Sequence, residues 1–274
     1  MKKISIITPC LNAERRIAET VESVLGQYAV HSGRAELEYI ICDGGSTDRT
    51  LAIVESYRND AVKIVSGADS GMYDALAKGL KVATGDIVAY LNAGDFYNRC
   101  AFDVVLDLFQ RKEVQWLTGY NVHYNEKSYF LNVKLPYRYR RSFFASGLYG
   151  TTLIFVQQES TFWSSSLNEL LDYDRLASFR YAGDYYLWFQ FAKKYELKIV
   201  EAHLGGFRIE RGQLSENREA YLSEMAAIVA GKPNLLQKML AAFDRVMWYA
   251  PVELKKFLNK DGLFRYDHEL QEWV

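Results

Sequence analysis

The sequence predicts an α/β domain on a mostly parallel sheet flanked by helices, with a helical extension at its C-terminal end. Two observations carry this. Short β-branched runs alternate with stretches of helical spacing over the first hundred residues, the order that a layered α/β domain requires. Beyond about residue 216 the strand signal stops and apolar residues recur at helical spacing only. The predicted division is therefore a domain over 1–215 and an extension over 216–274, packed on the domain, on a partner subunit or on a membrane surface.

The strands are expected at 4–8, 37–42, 62–66 and 86–91, each apolar enough to be covered on both faces. Between them Ile17, Val21, Val24 and Leu25 form one helical stripe, and Met72, Leu76, Leu80 and Ala83 another. Thr47 is expected to cap a further helix running to about Tyr57. From 115 to 162 the chain is aromatic and irregular, and it carries the basic run Tyr137-Arg138-Tyr139-Arg140-Arg141, expected in a loop beside an acceptor. Tyr185, Trp188, Phe189 and Ala192 mark a helix opening just after Gly183-Asp184, and a strand follows at 197–200. In the last segment Leu235, Leu236, Met239, Leu240, Phe243, Val246 and Met247 share one side of a helix, expected as its packing face.

Composition removes several classes. The 274 residues contain 49% hydrophobic residues, enough for a sizeable core. Lys and Arg number 33 against 34 Asp and Glu, which argues against a nucleic-acid partner. Cys10, Cys42 and Cys100 lie far apart with no histidine at metal spacing; reduced thiols in a cytoplasmic protein are expected. The apolar stretch after Lys2-Lys3 ends at Thr8-Pro9, unlike a secretion signal, and no run approaches the ~18 residues of a spanning helix. Dinucleotide, P-loop, HExxH and GxSxG motifs are absent.

In an open parallel sheet, ligands bind beyond the carboxyl ends of the strands. Those ends carry Thr8-Pro9-Cys10-Leu11-Asn12, then Asp43-Gly44-Gly45-Ser46-Thr47-Asp48, then Asp69-Ser70-Gly71, then Asn92-Ala93-Gly94-Asp95. Caps and turns explain any one of these loops. Four loops delivering carboxylates to one rim point to a site.

The runs ISIITPCLN (4–12), YIICDGGSTDRT (39–50), DSGMYDALAKGL (69–80) and GDIVAYLNAGDFY (85–97), followed by QESTFW (158–163), AGDYYLW (182–188) and GGFRIERGQLS (205–215), resemble family 2 glycosyltransferases of the GT-A fold, bacterial polysaccharide-biosynthesis type. The resemblance implies an inverting hexosyltransferase that takes a nucleoside-diphosphate sugar, UDP- or GDP-linked, and a glycan or lipid-linked acceptor. It implies Mn²⁺ or Mg²⁺, held by Asp95 at the last acidic position of the family's metal motif. Asn92 stands at the first position and brings no charge. Thr8, Pro9, Asn12, Asp43, Asp69 and Lys78 match the nucleotide-sugar side, with Asp43 reading the base. Asp184 matches the general base, and Glu159 is the runner-up, expected against the acceptor. Arg208 and Gln213 match a lid, in which Glu210 replaces an expected histidine. The alternatives are a catalytically inactive nucleotide-sugar-binding subunit and a nucleotidyltransferase, whose basic Gly-rich loop 8–12 lacks. The basic C-terminal helices, with seven cations against three carboxylates from Lys232 to Arg265, suggest peripheral contact with the inner face of the cytoplasmic membrane or a homodimer.

Overall fold

The computed structural model describes residues 1–111 and 113–274. Its centre is an eight-stranded sheet. In chain order the strands that matter are β1 (Lys2–Cys10), β2 (Ala35–Asp43), β3 (Val62–Ser66), β4 (Ile87–Tyr90), β5 (Phe96–Tyr97), β6 (Trp116–Thr118), β7 (Asn121–Tyr124), β8 (Phe130–Lys134), β9 (Thr161–Ser164), β10 (Lys198–Val200), β11 (Gly205–Arg208) and β12 (Leu263–Phe264). The central order is β12-β10-β6-β9-β4-β1-β2-β3. β1, β2, β3 and β4 pair in parallel, whereas β9 runs antiparallel to both of its neighbours. A second sheet has the order β5-β11-β7-β8, and β11 carries residues 205–208, the start of the segment expected as a lid.

All four expected N-terminal strands form, within two residues of their predicted limits. β1 is buried for seven consecutive residues, Ile4 to Cys10, because helices cover both faces. Those helices include α1 (Ile17–Leu25), α2 (Tyr28–His31), α3 (Thr50–Ser56), α4 (Met72–Val82) and α5 (Ala101–Leu108). Thr47 does not cap α3. Asp48 does that work, accepting the Thr50 amide at 2.9 Å, because Thr47 is drawn to Asn12 instead.

The irregular middle supplies β6–β9 and α6 (Arg141–Ala145), and then come α7 (Tyr173–Ala177) and α8 (Gly183–Ala192). α8 is buried nearly all round, not on one face. Its Trp188 and Phe191 pack on Trp116 and Trp163 of the central sheet, Trp116 stacking on Trp188 at 5.8 Å. Side chains of this size each contribute roughly 1.5–3 kcal/mol by leaving water, so α8 is a fixed platform.

The C-terminal segment holds α9 (Arg218–Ile228), α10 (Leu235–Met247) and α11 (Val252–Leu258). It is not purely helical: β12 pairs with β10 and extends the central sheet. The run Tyr137–Arg141 belongs to this packing and is not an exposed loop. Tyr137 and Tyr139 are buried, and Arg140 grips the buried Asp244 of α10 through Nε–Oδ2 at 2.7 Å and Nη2–Oδ1 at 2.9 Å. That grip turns α10 over. Ala241, Asp244 and Met247 face inward, while Leu235, Leu236, Met239, Phe243 and Val246 are exposed. Lys255 is also inside, donating to the carbonyls of Leu135 and Trp248. Among the described residues no helix is long and apolar enough to cross a membrane.

Candidate active site

The register of the parallel strands sets Cys10, Asp43 and Ser66 side by side at the ends of β1, β2 and β3. Asp43 is buried, and its carboxylate accepts from the amides of Gly45 and Ser46 and from Ser66 Oγ at 2.9 Å. Burial opposes its charge, but the hydrogen bonds from Ser46, Ser66 and Gly45 outweigh it and hold the carboxyl below the usual range. Asn12, in the left-handed region at φ 49, ties this loop to the end of β1. Its amide donates to Ser46 Oγ at 2.8 Å and its Oδ1 accepts from the Thr47 amide at 2.9 Å. The Thr8 hydroxyl turns inward to Tyr39, and Pro9 is buried beside it.

Between these loops lies a cleft of about 110 Å³ lined by Asp43, Ser66, Gly67, Asp69, Lys78 and their neighbours. Burial raises Asp69 above the usual carboxylate range. Lys78 Nζ donates to Ala68 O at 2.9 Å and lies 3.3 Å from Asp74. The structure thus brings Asp43 and Asp69, from two strand ends, together with Lys78 of α4.

After β4 the chain turns through Asn92–Asp95. Thr20 of α1 pins the turn, accepting from the Gly94 amide and donating to Asp95 O at 2.8 Å. Gly94 sits at φ 118, a conformation that side chains avoid. Asp95 does not cap α5, which starts six residues later. Its side chain is buried, and Oδ1 accepts the backbone amide of Arg208 at 2.9 Å. Burial pushes it above the usual carboxylate range. Asn92 Oδ1, beside it, is buried with no hydrogen-bond partner.

These donors suit a hard divalent cation. Among the described residues no group of three His, Cys, Asp or Glu could hold a metal; Asp95 and Asn92 would offer one carboxylate and one unpartnered amide oxygen. Mg²⁺ and Mn²⁺ accept such a share when a substrate's phosphates supply the rest.

Glu159 is not on the surface. It lies inside at 2% exposure, close to Asp95 and hydrogen-bonded by Gln157 Nε2. Burial and the charge of Asp95 push its carboxyl well up. Arg208 is also buried: its guanidinium lies over the Phe96 ring at 5.5 Å and pairs with Glu19. Gln213 folds its loop back, donating to Arg208 O at 2.6 Å and accepting from the Glu210 amide at 3.0 Å. Glu210 pairs with Arg16 at 2.5 Å. Glu19, Thr20 and Arg16, all at or beside α1, escape sequence reading because nothing local distinguishes them from helix-surface residues.

Asp184 opens α8 without capping it. Its Oδ1 accepts from the Tyr185 amide at 2.7 Å and from the Tyr221 hydroxyl at 3.0 Å. Burial raises it to about 6, against those hydrogen bonds. Gly183 is needed here, since a Cβ would fall 2.4 Å from the Tyr73 ring of α4. Glu224, one turn beyond Tyr221 on α9, accepts the amides of Tyr181 and Ala182 at 2.8 Å each. Tyr221 and Glu224 are further residues that the sequence does not reveal.

A mostly parallel sheet with a carboxylate-lined rim, a turn carrying a buried Asp and a second carboxylate at a helix start defines a nucleotide-sugar transferase of the GT-A class. The model described as Glycosyl transferase family 2 matches residues 5–171, and the chain belongs to that family of enzymes. It is similar to the Escherichia coli UDP-Glc:alpha-D-GlcNAc-diphosphoundecaprenol beta-1,3-glucosyltransferase WfgD, 22% identical over 94% of this chain and 97% of that one. Other curated relatives match with 31% and 33% identity, but over only 34% and 17% of their own length. The crystal structure of S. aureus TarS 1–349 in complex with UDP-GlcNAc superposes with a TM-score of 0.63 at 17% identity, covering 94% of this chain and 72% of that one. Glucosyl-3-phosphoglycerate synthase from Mycobacterium tuberculosis, in complex with Mn²⁺, UDP and phosphoglyceric acid, does so with a TM-score of 0.54 at 18% identity, over 85% and 80%.

Proposed function

We propose that this enzyme transfers a sugar from a UDP-sugar to a hydroxyl of a lipid-linked glycan, with inversion at the anomeric carbon. The observation that carries the reading is the pair of carboxylates Asp95 and Asp184. One is buried beside an unpartnered amide oxygen; the other is held by two donors near pH 6. UDP is favoured over GDP because the TarS and synthase structures hold it, and a lipid-diphosphate acceptor is favoured by the name of the full-length relative.

The nucleotide base occupies the cleft of Asp43, Asp69 and Lys78, with the 8–12 loop as its edge. Asp95, with Asn92 beside it, would hold the Mn²⁺ or Mg²⁺. Bound there, the cation would act as a Lewis acid for the leaving diphosphate. Asp184 accepts the proton of the acceptor hydroxyl as its oxygen bonds to the anomeric carbon and the bond to the diphosphate breaks. General-base assistance of this kind contributes about 10²- to 10⁴-fold. The lid 208–213, fixed at one end by the Arg208 amide on Asp95, covers the diphosphate. Residues 1–215 form the transferase domain and 216–274 the extension. The three unpaired cysteines favour a reducing, cytoplasmic location.

Thermal unfolding with UDP, GDP, dTDP or CMP, each with Mn²⁺, Mg²⁺ or chelator, tests the donor side. A ligand at 100 times its Kd adds ~2.7 kcal/mol, several degrees for a chain of this size. UDP is expected to raise Tm with metal and to lose the effect on chelation and in Asp95→Ala. No shift with any nucleotide would sink the reading.

A further inference from the structure

A second cavity, of about 370 Å³, lies between the loop 150–155, the start of α9 and the end of α10. Arg218 and Arg245 line it, with Phe155, Trp248 and Tyr249 as aromatic walls and Thr151 at one side; no carboxylate does, among the described residues. Arg218 spends one N–H on Gly150 O at 3.2 Å. Arg245 makes no ion pair or hydrogen bond among the described residues. The indole Nε1 of Trp248, a residue only 3% exposed, is buried without a partner. Asp244, adjacent to Arg245 in the chain, cannot neutralise it, because both its oxygens are held by Arg140. Two guanidiniums with spare donors and no acid between them suit a phosphate or diphosphate, whose oxygens match the planar fork.

The cavity adjoins the candidate base. Phe155 packs edge-on against Tyr221 at 4.8 Å, and Tyr221 donates to Asp184. Arg218 and Tyr221 are three residues apart on α9, less than one turn of about 5.4 Å. Arg218 therefore lies within a turn of the Tyr221 that holds Asp184. α10, which brings Arg245 to the cavity, exposes Val246, Phe243 and Met239 on another of its faces.

We propose that this cavity is the diphosphate subsite for the acceptor: Arg218 and Arg245 hold the diphosphate of a lipid-diphosphate-linked sugar. The sugar then reaches toward Asp184 and the lipid chain lies along the apolar face of α10. The inference rests on the lipid-linked acceptor read above. It accounts for two features that the donor site leaves unused, the unpaired Arg245 and an apolar stripe turned to solvent.

Calorimetric titration of the full chain with undecyl diphosphate, below its micelle concentration, tests it. Wild type is expected to bind, saturating UDP with Mn²⁺ is expected not to displace the probe, and Arg245→Glu and Arg218→Gln are each expected to weaken binding tenfold or more. Arg245 is exposed, so its variant does not endanger the fold. In transfer assays, Arg245→Glu is expected to raise KM for an undecyl-diphosphate-linked N-acetylglucosamine while KM for the donor stays within twofold. Binding unchanged by Arg245→Glu, absent from wild type, or displaced by UDP would each overturn the proposal. Failure of the glycosyltransferase reading would be seen separately, as undecyl diphosphate binding without any nucleotide-induced rise in Tm.

Discussion

Tyr221 donates its hydroxyl to Asp184 Oδ1 at 3.0 Å across 37 residues of sequence. Glu224, three residues further along α9, holds the amides of Tyr181 and Ala182 that lead into α8. The candidate base is thus oriented by a helix outside the span that the family model matches, residues 5–171. α9 therefore belongs to the candidate site, and truncation before it is expected to release the N-terminus of α8 as well as Asp184.

Asp184→Asn is expected to lower kcat by 10²- to 10⁴-fold while UDP-induced thermal stabilisation persists. Stability should move the other way. With its carboxyl raised to about 6, folded Asp184 keeps a proton that the unfolded chain releases near 4, so stability falls as pH rises through that window. The neutral amide escapes this cost, and Asn should be more stable than wild type at pH 7.5 by about 1–3 kcal/mol. Urea unfolding checks it. A variant both inactive and less stable would mark Asp184 as structural.

The same carboxyl is expected to set the acid limb of activity. A base must be ionised, so kcat should climb with pH and level off above about 6. Tyr221→Phe removes a hydrogen bond to the charged form, which raises the carboxyl further. Its limb should move to higher pH, with activity recovering toward wild type at alkaline pH. A pH–rate profile superimposable on wild type would show that Tyr221 does not tune the base.

How far the sequence foretold this arrangement depends on the range of the interaction. β1 to β4 were legible because β-branched runs covered on both faces need no distant partner to declare themselves, and the rim carboxylates follow from strand ends. α10 shows the limit. Its periodicity separates two faces but not which one is buried, and the choice was made 104 residues earlier by Arg140 gripping Asp244. Glu159, expected against the acceptor, is instead buried where Gly205 of β11 packs onto its backbone, a contact no local pattern announces. Tyr221 and Glu224 carry no local signature at all.

Arg140 gives a stability prediction. Arg140→Met leaves the Asp244 carboxylate, 0% exposed, without its partner, and breaking one side of a buried pair costs about 3–5 kcal/mol. The double variant Arg140→Met/Asp244→Met removes the stranded charge and should regain most of that loss. Denaturant midpoints measure both. Equal destabilisation of the single and double variants would mean that the pair contributes through shape, not charge.

Glu159 and Asp95 make the last test. Both carboxyls are buried and near one another, so they cannot both ionise cheaply in the absence of a cation. Burial together with the Asp95 charge pushes Glu159 well up, against hydrogen bonds from its own amide, Gln157 and Gln158, and burial raises Asp95 to about 7, against the amide and charge of Arg208. Glu159 is raised the further of the two, so the expected arrangement has the proton on Glu159 and leaves Asp95 for the proposed cation. Glu159→Gln keeps the shape and neutrality of the protonated acid. It should leave the Mn²⁺-dependent rise in Tm with UDP within about a degree of wild type, whereas Asp95→Asn should abolish it. If Glu159→Gln abolished the shift as completely as Asp95→Asn, Glu159 would be an ionised ligand and the division of labour between the two acids would be reversed.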